Sequence, residues 1–343
     1  MKEKQIKRVL EAKFQDWVDS IEDLGVAKIV TDEAIITGGA IASLMMNEKP
    51  NDYDVYFKTK KAAREVAEYY CHRFNERNGA ITTGVGQNTR AVVIDGDDIR
   101  TEGTTIYVDD PNLVDVLGRS VFEVGSSDAD GFSGMTRTIA GIPPGRLKVY
   151  IQSDGVAGDI PEGDEGIDIA QVLDDAEGLT QEEKYGPYEP VFLSTNAISL
   201  TGGIQIVIRF YGEISDIHEN YDFDHTKGGW DPKRDELIIE KPVYEAVLNK
   251  TLIYSGSKYP LCSLFRLRKF IGRGWKINAG QMLRIGFQIS DLNLSDIDTL
   301  EDQLIGVDSF YFSRLVHILR KKQESGELND PKGYAMTLIE RIF

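Results

Sequence analysis

"IITGGAIASLMMNEKPNDYDVYF", residues 35–57, sets a diglycine turn about one short helix ahead of two alternating carboxylates. The apolar run that ends at Gly38-Gly39 reads as a strand entering a turn. "AIASLMM" continues as a small-residue helix of two turns. "NDYDVYFKT" alternates in period two, so it reads as a strand, and Thr59 is placed to cap a helix over 60–76. Side chains at i and i+2 of a strand point the same way, so Asp52 and Asp54 are expected to project together. Two such carboxylates raise each other's pKa unless a cation lies between them. Hard ions such as Mg²⁺ relieve that conflict and favour carboxylate and phosphate oxygens. Gly38 and Gly39 let the backbone approach a ligand with no Cβ in the way. They also present the N–H groups of the helix that starts near Ala40, an end that attracts phosphate, and Ser43 adds a hydroxyl one turn in.

Two-metal phosphoryl chemistry usually requires a further carboxylate, because each ion needs its own anchor. "YDFDHT", residues 221–226, again alternates in period two. Read as a strand, it puts Asp222 and Asp224 on one face and turns Phe223 into the core. If that strand lies beside residues 52–57, three carboxylates converge. Asp222 is the expected third ligand and Asp224 the reserve.

Charge is spread unevenly. The net charge of −17 argues against a polyanionic partner, yet residues 258–284 hold seven Lys or Arg and no acid. Residues 151–183 hold eleven Asp or Glu and no base, a solvated stretch by composition. Within 264–273, helical spacing places Leu264, Leu267 and Ile271 on one face and Arg266, Lys269 and Arg273 on the opposite one. Such a basic stripe can hold polyphosphate while its apolar back packs on a core.

At 343 residues the chain exceeds ordinary single-domain size. The expected division is a mixed core of residues 1–95 and 189–241, an acidic insertion over 96–188 and a helical domain over 242–343. An amphipathic helix is expected over 3–23. Short strands are expected at 105–108 and 147–151, a hairpin around Gly202-Gly203, a short helix at "EISDIHEN" and a strand at "ELIIE". Helical periodicity then runs over 242–254, 261–273, 279–290, 296–304, 309–321 and 331–342. The fold class is therefore α+β: a small mixed sheet with flanking helices, a β-containing insertion and an all-helical end. "DADG", residues 128–131, half matches a calcium loop but lacks the distal glutamate. No apolar run is long enough for a membrane span, and the first residues lack a signal peptide's apolar block. The two cysteines and four histidines form no metal-ligand spacing. A cytoplasmic protein is the expectation, with no membrane partner.

Gly38-Gly39 followed by Asp52-x-Asp54, with a distant third aspartate, resembles the polymerase-beta-like nucleotidyltransferase superfamily. That resemblance implies triphosphate contacts at Gly38, Gly39 and Ser43. It implies two Mg²⁺ (Mn²⁺ as the alternative ion) on Asp52, Asp54 and Asp222. "NAISL…IQIVIRFYGEISDIHENYDFDH" also resembles a bacteriophage-encoded branch of the superfamily. "SLFRLRKF" is similar to the arginine-bearing helix of CCA-adding and poly(A) polymerases, where arginines hold the incoming nucleotide. Arg266 matches that pattern, whereas Ser263 and Lys269 stand where the family favours Arg. The implied activity moves a nucleoside monophosphate from an NTP, ATP by expectation, to an acceptor hydroxyl with release of pyrophosphate, Arg266 and Lys269 offsetting the triphosphate's charge. The acceptor is left open among protein, small molecule and RNA end. An inactive binding or virion component that kept the fold is the alternative, its insertion 96–188 contacting a protein partner. An RNA-end nucleotidyltransferase is the third reading.

Overall fold

The computed structural model describes residues 2–77, 90–102, 105–108, 122–124, 142–152 and 186–296, with a few positions beyond. The "DADG" motif, nearly all of the acidic run, and the helices expected over 309–321 and most of 331–342 lie outside the described residues. No described helix is long and apolar enough to cross a membrane.

Helix α1 (Glu3–Asp19) buries Ile6, Leu10, Phe14 and Trp17, the stripe that its spacing predicts. It stops earlier than expected because Asp23 begins a second helix, α2 (Leu24–Glu33), accepting from the Gly25 and Val26 amides. Strand β1 (Ala34–Thr37) then enters Gly38, helix α3 (Gly39–Met45) follows, and β2 (Tyr53–Phe57) returns antiparallel to β1. Thr59 caps α4 (Lys60–Arg77) through the Ala62 amide at 3.2 Å, as its position predicts.

Strand β3 (Arg90–Asp95) pairs antiparallel with β7 (Leu147–Gln152). Between them β4 (Ile99–Glu102), β5 (Thr105–Val108) and β6 (Phe122–Val124) form a second small sheet. The stretch 96–188 thus contains β-structure, and the strands expected at 105–108 and 147–151 are present. Strands β8 (Pro190–Leu193), β9 (Ala197–Leu200) and β10 (Ile204–Tyr211) follow, the last two joined as the expected hairpin through Gly202 and Gly203. Helix α5 (Ile214–His218) leads to β11 (Gly229–Asp231) and β12 (Glu236–Ile238). Helices α6 (Lys241–Asn249), α7 (Pro260–Gly272) and α8 (Ala279–Ser290) complete the described elements.

The main sheet runs β12-β11-β1-β2-β10-β9-β8, antiparallel throughout except for β2 beside β10. Strand alternation divides its two faces. Ile36, Val55, Ile204, Ile206 and Ile208 meet α1, α2 and α4 in the largest core. Each fully buried side chain of this size contributes roughly 1.5–3 kcal/mol. Ile35, Tyr56 and Val207 lie on the other face with Ile214, Ile217 and Tyr221. A further core joins α3, α6, α7 and α8 through Ala42, Val243, Leu267 and Ile285, with Phe223 and Tyr254. Arg209, at the far end of β10, lies 3.8 Å over the Tyr259 ring and so ties the sheet to the start of α7.

Two expectations are corrected. Residues 221–226 are not a strand, and β2's neighbours are β1 and β10. Phe223 makes one isolated bridge with Tyr254, and Asp224–Thr226 closes a 3-10 turn. Phe223 does enter the core, fully buried. A short alternation cannot hold a strand when its flanking side chains are drawn off to other elements. The faces of α7 are also rotated from the expected ones: Leu264 and Ile271 are 43% and 46% exposed, while Ser263 and Leu267 are buried. The rotation carries Ser263 and Arg266 toward Asp222, and that polar contact outweighs a wider apolar stripe.

Candidate functional site

The turn after β1 brings the first functional groups together. Gly38 has φ +91°, a conformation that residues with a Cβ rarely adopt. A Cβ there would lie 2.5 Å from Asp54 Oδ2, so the aspartate packs directly on the glycine backbone. A Cβ on Gly39 would meet nothing within 4 Å, which leaves that side of the turn open. Asp54 is half-buried in β2, and its cross-strand neighbours are Thr37 on β1 and Gln205 on β10. Asp52 is exposed, one residue ahead of β2. Ser43 is half-buried in the second turn of α3.

Thr37 is fully buried and organises the wall behind Asp54. Its hydroxyl donates to the Gly228 carbonyl at 2.6 Å, so at 2.7 Å it accepts from His218 Nε2, which fixes the protonated nitrogen. Burial foremost, with help from Lys227, holds the His218 pKa down to about 4, and the ring is neutral near pH 7. Tyr221 packs against His218 and Tyr56, ring centroids 5.3 and 6.1 Å away. Its phenol oxygen is buried without a well-formed hydrogen bond. Burial, then Tyr56 and Asp54, raise that phenol's pKa well above the usual value, so it keeps its proton.

The next residue faces the other way. Asp222 is buried, and its Oδ2 accepts from Ser263 Oγ at 2.8 Å and Arg266 Nη1 at 2.9 Å. Its backbone carbonyl accepts from the Ser255 amide at 2.9 Å. Tyr221 and Asp222 therefore form a strut between the Asp54 wall and α7. Asp224 pairs with Lys227 at 3.2 Å. Lys269 is exposed on α7. His225 is a core residue, its ring centroid 4.4 Å from Phe270 and 4.1 Å from Trp275, and burial lowers its pKa to about 4.

Among the described residues no group of three or more His, Cys, Asp or Glu is arranged to hold a metal ion. Mg²⁺ seldom uses an all-protein cage; it takes one or two carboxylates together with water and substrate phosphates. Asp54, seated on Gly38 beside an open turn, fits that limited role, and Asp52 lies exposed one residue ahead of its strand. Sequence reasoning missed Thr37, Gln205, His218 and Tyr221. For Gln205 a signal existed, a lone amide in the run Ile204-Gln205-Ile206-Val207-Ile208. Neither His218 nor Tyr221 carries a signal, because the fold alone brings them to the sheet.

A family model described as Gabija anti-defense 2 family protein matches residues 8–250. A curated relative, Gabija anti-defense 2 of Bacillus phage SPbetaL7, is 22% identical over 111 residues, 32% of this chain and 28% of that protein. The matched segment thus spans little more than a quarter of the relative's length. The Thermotoga maritima CCA-adding enzyme complexed with tRNA aligns at a TM-score of 0.33 and 10% identity, over 91% of this chain and 54% of that one. With most of its length matched by the family model, this chain belongs to the Gabija anti-defense 2 family.

Proposed function

We propose that this member of the Gabija anti-defense 2 family is a metal-dependent nucleotidyltransferase that counters a Gabija defence by modifying an acceptor hydroxyl. The donor is an NTP, ATP by expectation, and pyrophosphate leaves. The observation that carries this reading is the seating of Asp54 on the Gly38 backbone, beside a turn whose next residue is open.

In this scheme Asp52 and Asp54 hold the Mg²⁺ or Mn²⁺, and Gly39 admits the triphosphate against the start of α3. The ion, when bound, supplies charge neutralisation at the phosphates and a lowered pKa for the acceptor hydroxyl. The Tyr221 phenol keeps its proton, so the wall behind Asp54 adds no second negative charge beside that carboxylate. Asp222 positions Arg266, and with Lys269 that arginine offsets phosphate charge. Asp222 thus acts through Arg266, a role distinct from that of a metal ligand.

The test is transfer from each labelled NTP to protein, tRNA and small-molecule acceptors. Transfer that Asp54→Asn abolishes, with the melting temperature unchanged, is the expected result. Equal transfer in that variant sinks the reading. A second reading, a non-catalytic binding protein, draws on the Asp222 carboxylate's engagement by Ser263 and Arg266. It predicts that no NTP stabilises the protein against heat in the presence of Mg²⁺.

A further inference from the structure

The register of the main sheet singles out a residue outside the Asp52–Asp54 pair. Gln205 stands directly opposite Asp54 in the parallel β2–β10 ladder, and neighbouring strands lie about 4.8 Å apart. Ile204 and Ile206 on either side of it are buried in the main core, so Gln205 takes the opposite face, the one that carries Asp54. It is half-buried, and among the described residues its carboxamide bonds to no protein group. Its neighbour across β9, Ser199, is likewise half-buried with no such partner for its hydroxyl. A central-strand amide without a partner costs about 1–3 kcal/mol if dry, so a strand that keeps one here turns it toward a wet cleft or a ligand. Asp222, by contrast, already receives two hydrogen bonds.

We propose that Gln205 supplies a neutral amide-oxygen ligand to the cation held by Asp52 and Asp54, and that this neutrality makes metal capture depend on the nucleotide's phosphates. The inference rests on the reading given under Proposed function. Amide oxygens are ordinary ligands of hard cations, and affinity rises with the number of charged ligands. Two carboxylates and one amide balance a divalent ion's charge without excess. The free protein therefore binds the ion weakly, and the polyanionic triphosphate completes the shell. A third carboxylate would hold the ion with or without nucleotide.

Mn²⁺ titration of the full chain, followed by electron paramagnetic resonance with and without ATP, tests this. Gln205→Glu is expected to raise affinity for Mn²⁺ alone by roughly tenfold. Gln205→Leu is expected to weaken Mn²⁺ binding several-fold in the presence of ATP. Gln205→Asn, which keeps the amide but shortens it, should lose less than Gln205→Leu and serves if that variant melts early. If the Gln205 variants titrate like the unsubstituted protein while Asp54→Asn loses the ion, this inference falls and the nucleotidyltransferase reading stands. If Asp54→Asn also binds as before, the ion sits elsewhere and both fall.

Discussion

Asp54 Oδ2 lies 2.5 Å from the point where a Cβ on Gly38 would sit, so one carboxylate and one missing side chain share the same space. Gly38→Ala must therefore move Asp54 while also forcing alanine to φ +91°. The backbone part alone, at φ +91° and ψ −155°, costs about 1–3 kcal/mol. A lower melting temperature and lost stabilisation by Mg·ATP are expected. Gly39→Ala, with nothing within 4 Å, should keep its stability and is the control. Equal melting temperatures for the two variants would contradict the packing.

The Asp222–Arg266 contact couples residue 222 to α7. Arg266→Leu takes a charged donor from a buried carboxylate that still accepts from Ser263. Removing one partner of a fully buried pair costs 3–5 kcal/mol; with Arg266 41% exposed, about 2 kcal/mol is expected. Ser263→Ala should cost less, about 1 kcal/mol. Urea denaturation measures both, and a neutral result for Arg266→Leu would show that the pair adds nothing to stability.

Acid should unfold the protein early. The His218 and His225 pKa values are held at about 4 against 6.5 for an unperturbed ring, so below pH 6.5 the unfolded chain binds more protons than the folded one. Stability is full above about pH 6.5 and falls as pH drops toward 4, by about 1.4 kcal/mol per pH unit for each histidine. His225→Phe should flatten part of that slope. Melting temperatures that stay level from pH 7 to 4.5 would contradict the burial argument.

Asn75, near the end of α4, imitates a strand. Its carboxamide donates to the Ala91 carbonyl at 2.8 Å and accepts from the Ala91 amide at 2.7 Å, closing the outer edge of β3. Asn75→Ala leaves both buried groups unpaired, at about 1–3 kcal/mol. Hydrogen exchange should accelerate at the Ala91 amide ahead of its β3 neighbours. Unchanged protection there would mean that another group seals the edge.

Residues 34–60 were legible because every feature there is local. A β-to-turn change shows as apolar residues followed by two glycines, a strand as period two, and a helix start as Thr59. The β9–β10 hairpin was legible for the same reason. The part of the site that faces Asp54 was not. Gln205 meets it through a parallel pairing between segments about 150 positions apart. His218 and Tyr221 reach Thr37 and Asp54 through α5 and the turn after it.

By itself, then, the sequence determined the order of the elements and the Gly38–Asp54 unit, since backbone sterics and side-chain periodicity act over a few residues. Only the tertiary structure decided that Asp222 faces α7, that α7 turns Arg266 inward and Leu264 outward, and that an amide stands beside Asp54. Strand register and helix rotation each admit several solutions of similar local energy. The choice among them comes from contacts made after distant segments have packed.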